Sequence, residues 1–169
     1  MDNAELNIRN TIIERCGMRY IAHYRRAEIK VYGDCWVYVN AQVRGDAEVL
    51  DNAEVFGDAE VFGDAQISGN AEVFGNARIS GNAKVYSNAE VFGDARISSN
   101  ARVSGYAKVF DNTRVSGNSE VYGGAKLFGN ARVSGDAKVY DDAEVYGDAK
   151  VYGDTWLSGT DEVYGDAEV

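Results

Sequence analysis

From Val31 to Val169 a branched aliphatic residue stands at every sixth position with no insertion: Val31, Val37, Val43, Val49, Val55, Val61, Ile67, and onward through Leu127 and Leu157. Two residues before each from Val37 onward lies a small one, usually Ala, as at Ala41, Ala47 and Ala53; Cys35, Thr113, Ser119 and Thr155 replace it, and Asp161 departs. Side chains alternate faces along a strand, so in Ala-x-Val the Ala and Val turn inward together while Glu, Lys, Arg or Gln turns outward. This pattern predicts a three-residue strand. Gly followed by Asp or Asn, as in Val55-Phe56-Gly57-Asp58-Ala59-Glu60, predicts a tight corner, because these residue types tolerate positive φ. Pro, which would remove donors from stacked strands, is absent.

A longer period sits on top of the shorter one. The residue after every third aliphatic is aromatic without exception: Tyr38, Phe56, Phe74, Phe92, Phe110, Phe128, Tyr146 and Tyr164. The next column reads Arg44, Phe62, Ser80, Ser98, Ser116, Ser134 and Tyr152, and the third mixes Tyr, Leu and Ser. Three hexads therefore make one coil of eighteen residues, and the 139 residues from Val31 to Val169 predict about 7.7 coils. At about 4.8 Å per rung, such a prism is on the order of 37 Å long. Residues 1–28 break the rule and are rich in Arg (Arg9, Arg15, Arg19, Arg25, Arg26); they are expected to form an N-terminal cap that shields the first coil of a β-helix spanning residues 29–169.

With these residues in view, the chain resembles the hexapeptide-repeat proteins, and its unbroken Gly-Asp-Ala and Gly-Asn-Ala phrasing most resembles their long bacterial and phage-type arrays. The resemblance implies an all-β fold, a three-sided, left-handed parallel β-helix. It also implies two enzyme classes to weigh, acyltransferases and carbonic anhydrases. Their chemistry asks for a histidine general base, or for three histidines around zinc. The single histidine, His23, falls in the cap segment, and the repeats contain no loop insertion that could build an acyltransferase site. No catalytic residue, metal, coenzyme A or other cofactor is therefore expected. Corner Asp residues do not follow the nine-residue calcium-binding repeat either.

Composition narrows the partners. With 17 Lys plus Arg against 27 Asp plus Glu, the formal charge is −10, which disfavours direct binding of nucleic acid or an anionic membrane. Cys16 and Cys35 have no metal-ligand spacing, and Cys35 occupies an inward small-residue slot. The N-terminus lacks the features of a signal peptide and no apolar run could span a bilayer, so a cytoplasmic protein is expected.

The outward columns carry the functional expectation. Beside the aromatic column stand Trp36, Glu54, Glu72, Glu90, Lys108, Lys126, Glu144 and Glu162. Beside the serine column, Arg78, Arg96, Arg114 and Arg132 stack at rung spacing next to Ser80, Ser98, Ser116 and Ser134, a ladder of like charge that should draw in a counter-charge or partner. Eight aligned rings offer an apolar strip to self-stacking or to a second protomer. The chain also stops at Val169 inside a repeat, which leaves a coil to be covered. The expected role is a non-enzymatic structural or protein-interaction β-solenoid that self-associates, a two-fold dimer being the simplest closed form, or that binds another protein. Two alternatives stay open: an acyltransferase-like enzyme, and an acidic inhibitor that mimics the charge of nucleic acid.

Overall fold

The computed structural model describes residues 30–38 and 40–169. The predicted cap, with His23 and Cys16, lies outside the described residues. The rest is an all-β parallel solenoid with no helix among the described residues. Its strands sort into three sheets of eight, eight and seven, and each strand pairs in parallel with the strand eighteen residues away. The aromatic face runs from Trp36–Val37 through Glu90–Val91 to Glu162–Val163. The arginine face runs from Gln42–Val43 to Lys150–Val151, and Glu168 adds one more bridge to Lys150. A third face runs from Lys30–Gly33 to Trp156–Leu157.

The interior is what the six-residue rule demands. Nearly every inward Ala and branched aliphatic from Ala47 to Val151 is fully buried, and together they form one continuous core. Cys35 is buried, and its thiol donates to the Val49 carbonyl oxygen at 3.5 Å. The hydroxyl residues in the stack carry their own partners: Thr113 donates to the Phe110 carbonyl at 2.7 Å, Ser119 to Ser116 at 2.8 Å and Thr155 to Tyr152 at 2.7 Å. That is why Thr and Ser can stand where Ala usually does, since a buried hydroxyl is tolerated once bonded. Asp161 sits in the same slot near the last coil but is exposed, and its carboxylate accepts from the Ser158 N–H at 2.9 Å.

Regular strand covers two residues of most hexads rather than the expected three, with four in Lys30–Gly33 and Glu48–Asp51, yet hydrogen bonding between coils does not stop at the strand ends. In a typical coil Glu54, Phe56 and Asp58 donate their N–H groups to the carbonyls of Ala71, Val73 and Gly75 at 2.9, 3.0 and 2.8 Å. The corners are thus tied rung to rung like the faces.

The corner chemistry differs from the sequence expectation in one respect. Positive φ falls on the glycine position alone, as at Gly57 (φ 68°) and Gly105 (φ 71°), and not on the Asp or Asn that follows. Five non-glycine residues, Asp51, Ser87, Ser99, Asp111 and Asp141, occupy that position with φ between 57° and 64°. The Asn side chains instead form ladders up the corner edges. Asn82 donates to Asn100 at 3.1 Å, Asn100 to Asn118 at 2.9 Å, and Asn118 to Asp136 at 2.8 Å. An amide both donates and accepts, so Asn can continue a ladder, whereas a carboxylate can only receive its end.

Candidate functional site

All eight residues of the predicted aromatic column lie on one face. From Phe56 to Tyr164 seven rings stack nearly parallel, with centroid separations of 4.8 to 5.3 Å and interplanar angles of 13° or less. The rung spacing of parallel strands, about 4.8 Å, is itself close to the separation that stacked rings prefer, so the fold sets the stack. Tyr38 breaks the sequence: it meets Phe56 edge-on at 75°, because its own face is taken by Trp36 at 6.2 Å. The rings remain only half-buried by one another, and Tyr164 at the end is 58% exposed. Tyr146 also donates its hydroxyl to Glu162 at 3.1 Å. Burial among the rings, then that hydrogen bond and the neighbouring carboxylate, push the Tyr146 phenol above its ordinary value of 10.0.

Two ion pairs cross rungs on this face, beside like-charge neighbours such as Glu54 with Glu72 and Lys108 with Lys126. Lys108 meets Glu90 at 2.9 Å and Lys126 meets Glu144 at 2.9 Å, each across one rung. On the third face Arg102 is bound to Glu120 at 3.4 Å, while Lys84 stands opposite Arg102 on the other side.

The arginine face does not alternate. Arg78, Arg96, Arg114 and Arg132 stand directly opposite one another on successive strands, followed by Lys150, and all four arginines are exposed. Only the ends of this run are compensated. At one end Glu60 takes both Arg44, at 2.6 Å, and Arg78, at 3.2 Å, and these two guanidiniums lie over opposite sides of the Phe62 ring at 5.7 Å each. At the other, Lys150 pairs with Glu168. Among the described residues, no carboxylate lies within ion-pair distance of Arg96, Arg114 or Arg132. Ser80, Ser98, Ser116 and Ser134 run alongside, half-buried.

The clamp around Phe62 and Glu60 was not anticipated from sequence. Its signal was available, since Arg44 and Phe62 interrupt the serine column at its first two rungs. Among the described residues no cluster of three or more His, Cys, Asp or Glu side chains is placed to hold a metal ion, and no helix is long and apolar enough to cross a membrane.

Comparison with known proteins finds no matching curated protein. Two solved structures are similar to the chain. One is the acetyltransferase domain of PglB from Neisseria gonorrhoeae FA1090 in complex with acetyl coenzyme A, 15% identical, with 80% of this chain and 52% of that one covered at a TM-score of 0.30. The other is the acetyltransferase domain of PglB from the same organism, 17% identical, with 81% and 55% covered at a TM-score of 0.31. The chain spans about half the length of both. Residues 65–78 match the family model described as the YdcK beta solenoid repeat, and the described residues form a three-sheet parallel β-solenoid with eighteen-residue coils.

Proposed function

We propose that this chain is a non-enzymatic, rigid interaction scaffold that associates with a second copy of itself through the aromatic face. The observation that supports this reading is the continuous strip of stacked, half-exposed rings from Phe56 to Tyr164. Stacking covers the faces of each ring but leaves the outer edges in water along the whole prism, and apolar strips of that extent are what protein interfaces cover. A two-fold dimer closes such a strip on itself, ring edges against ring edges, without growing into a fibre.

The test is sedimentation. At high micromolar concentration the parent protein is expected to run as a dimer, and a variant with Phe74, Phe92 and Phe110 replaced by Ser is expected to run as a monomer with an unchanged circular dichroism spectrum. Ser is the residue that the neighbouring column already carries at equivalent positions. A monomeric parent overturns the reading. The similar solved structures are acetyltransferase domains, so the same sample is assayed for acetyl transfer from acetyl coenzyme A; turnover abolished by His23→Ala would replace the scaffold with an enzyme.

A further inference from the structure

We propose that the arginine face is a docking site for an acidic α-helix of a partner protein, laid along the solenoid axis with its carboxylates against Arg96, Arg114 and Arg132. This face is separate from the aromatic strip, so the proposal does not depend on self-association.

Four features of the face point this way. Like charges directly opposite on adjacent strands destabilise a sheet, and here the run is uncompensated over its three central rungs, whereas Lys108 with Glu90, Lys126 with Glu144 and Arg102 with Glu120 are paired on the other two faces. The edges are largely neutral: the corners beside these rungs carry Asn76, Asn112 and Asn130 on one side and Asn82, Asn100 and Asn118 on the other, with Asp94, Asp111 and Asp136 the exceptions. Those amides are engaged in their own ladders, so they neither neutralise nor block the arginines. Beside the arginines the column is Ser rather than Phe or Tyr, which leaves the face low and lined with hydroxyls.

Spacing and length select the occupant. Successive guanidiniums are about 4.8 Å apart along the axis. Acidic residues at i, i+3, i+7 and i+10 of an α-helix share one side and advance on average about 5 Å per step, a mismatch of only about 0.6 Å over the three steps of a four-rung run. An extended peptide presents same-side residues about 6.7 Å apart and falls out of step after one rung. Nucleic acid suits the face poorly for a different reason. The positive run from Arg78 to Lys150 covers about 19 Å and ends on Glu60 and Glu168, so a longer polyanion would overlie the carboxylates of a chain with net charge −10. Guanidinium forks also match carboxylates in geometry, which ammonium groups do not.

The experiment uses a fluorescent helical peptide with Glu at i, i+3, i+7 and i+10 on an Ala and Gln background, and measures anisotropy with the full chain. A second peptide of the same composition has its Glu residues spread around the helix. The aligned peptide is expected to bind roughly tenfold or more tightly than the spread one, as the loss of one or two charge-assisted contacts implies, and its binding should weaken as salt rises. Arg96→Glu, Arg114→Glu and Arg132→Glu together should abolish it. The same triple variant should instead bind a peptide carrying Lys at i, i+3, i+7 and i+10, which a misfolded protein would not do. Equal binding of the aligned and spread peptides, binding unaffected by the triple substitution, or tighter binding of oligothymidylate than of the aligned peptide would overturn the proposal.

Discussion

The five residues that adopt left-handed φ without being glycine share a neighbour rule. Asp51, Ser87, Ser99, Asp111 and Asp141 are each followed one coil later by glycine, at Gly69, Gly105, Gly117, Gly129 and Gly159. A Cβ at this position points along the axis into the next corner: one built on Gly105 would lie 2.8 Å from the Gly123 backbone nitrogen and 2.9 Å from its carbonyl oxygen. Gly105→Ala is therefore expected to destabilise by roughly 1–2 kcal/mol from its conformation alone, and by more from the contact. Ser99→Gly should stabilise by up to about 1 kcal/mol. Thermal unfolding of the two variants checks the opposite signs. In the interior Val91 is fully buried, with only Ala and aliphatic side chains for company. Val91→Asp should cost several kcal/mol, because an ionised carboxylate there finds no partner; a variant as heat-stable as the parent would refute the inward assignment. At this scale the sequence was readable for the core, since only small and branched residues fit both the period and the burial. At the corners it names the right residue types but not their division of labour: the first corner position takes the positive φ, mostly as Gly and at three places as Asp, and the Asn that follows builds the edge ladder.

At the scale of a column, neighbours one rung away decide behaviour. Burial, and then the Glu162 hydrogen bond, raise the Tyr146 phenol, and burial beside Tyr140, Glu120 and Asp141 raises Tyr122. The hydrogen bond from Lys126 to Glu144 raises the Lys126 ammonium. All three shifts have the same sign. The folded chain holds these protons more tightly than the unfolded chain, so the stability they contribute is complete below the unfolded values and is lost as pH rises through the folded ones. Melting temperature should accordingly fall once pH passes about 10. Tyr122→Phe with Tyr146→Phe should reduce that fall, and in an ultraviolet titration the late part of the parent's phenol signal should shrink in the double variant. The columns themselves were legible, because an eighteen-residue period is simple to extract from an uninterrupted array. The pairing of long charged side chains was not. Glu60 could have met either neighbour and takes both Arg44 and Arg78, a choice made by side-chain reach around Phe62 rather than by spacing.

For the whole molecule, each coil touches only the coils before and after it, so its stability is a sum of local and nearest-neighbour parts. The core repeats every six residues while each face repeats every eighteen, and the chain therefore carries two reading frames of different length. Removing residues 81–86 keeps the first frame intact: Ile79 is then followed six positions later by Val91, and every Ala and aliphatic still turns inward. The second frame shifts by a third of a turn. The strand Glu90–Val91 moves to the third face, Arg96 comes to lie beside Glu72, and Phe74 meets Ser98 instead of Phe92. Such a deletion is expected to leave the circular dichroism spectrum and the cooperativity of melting close to those of the parent, yet to end self-association. Removing a full coil of eighteen residues should leave both frames intact and preserve the dimer. The interior is blind to a slip that the surface cannot survive, so selection against six-residue losses in this chain would be selection for its faces alone.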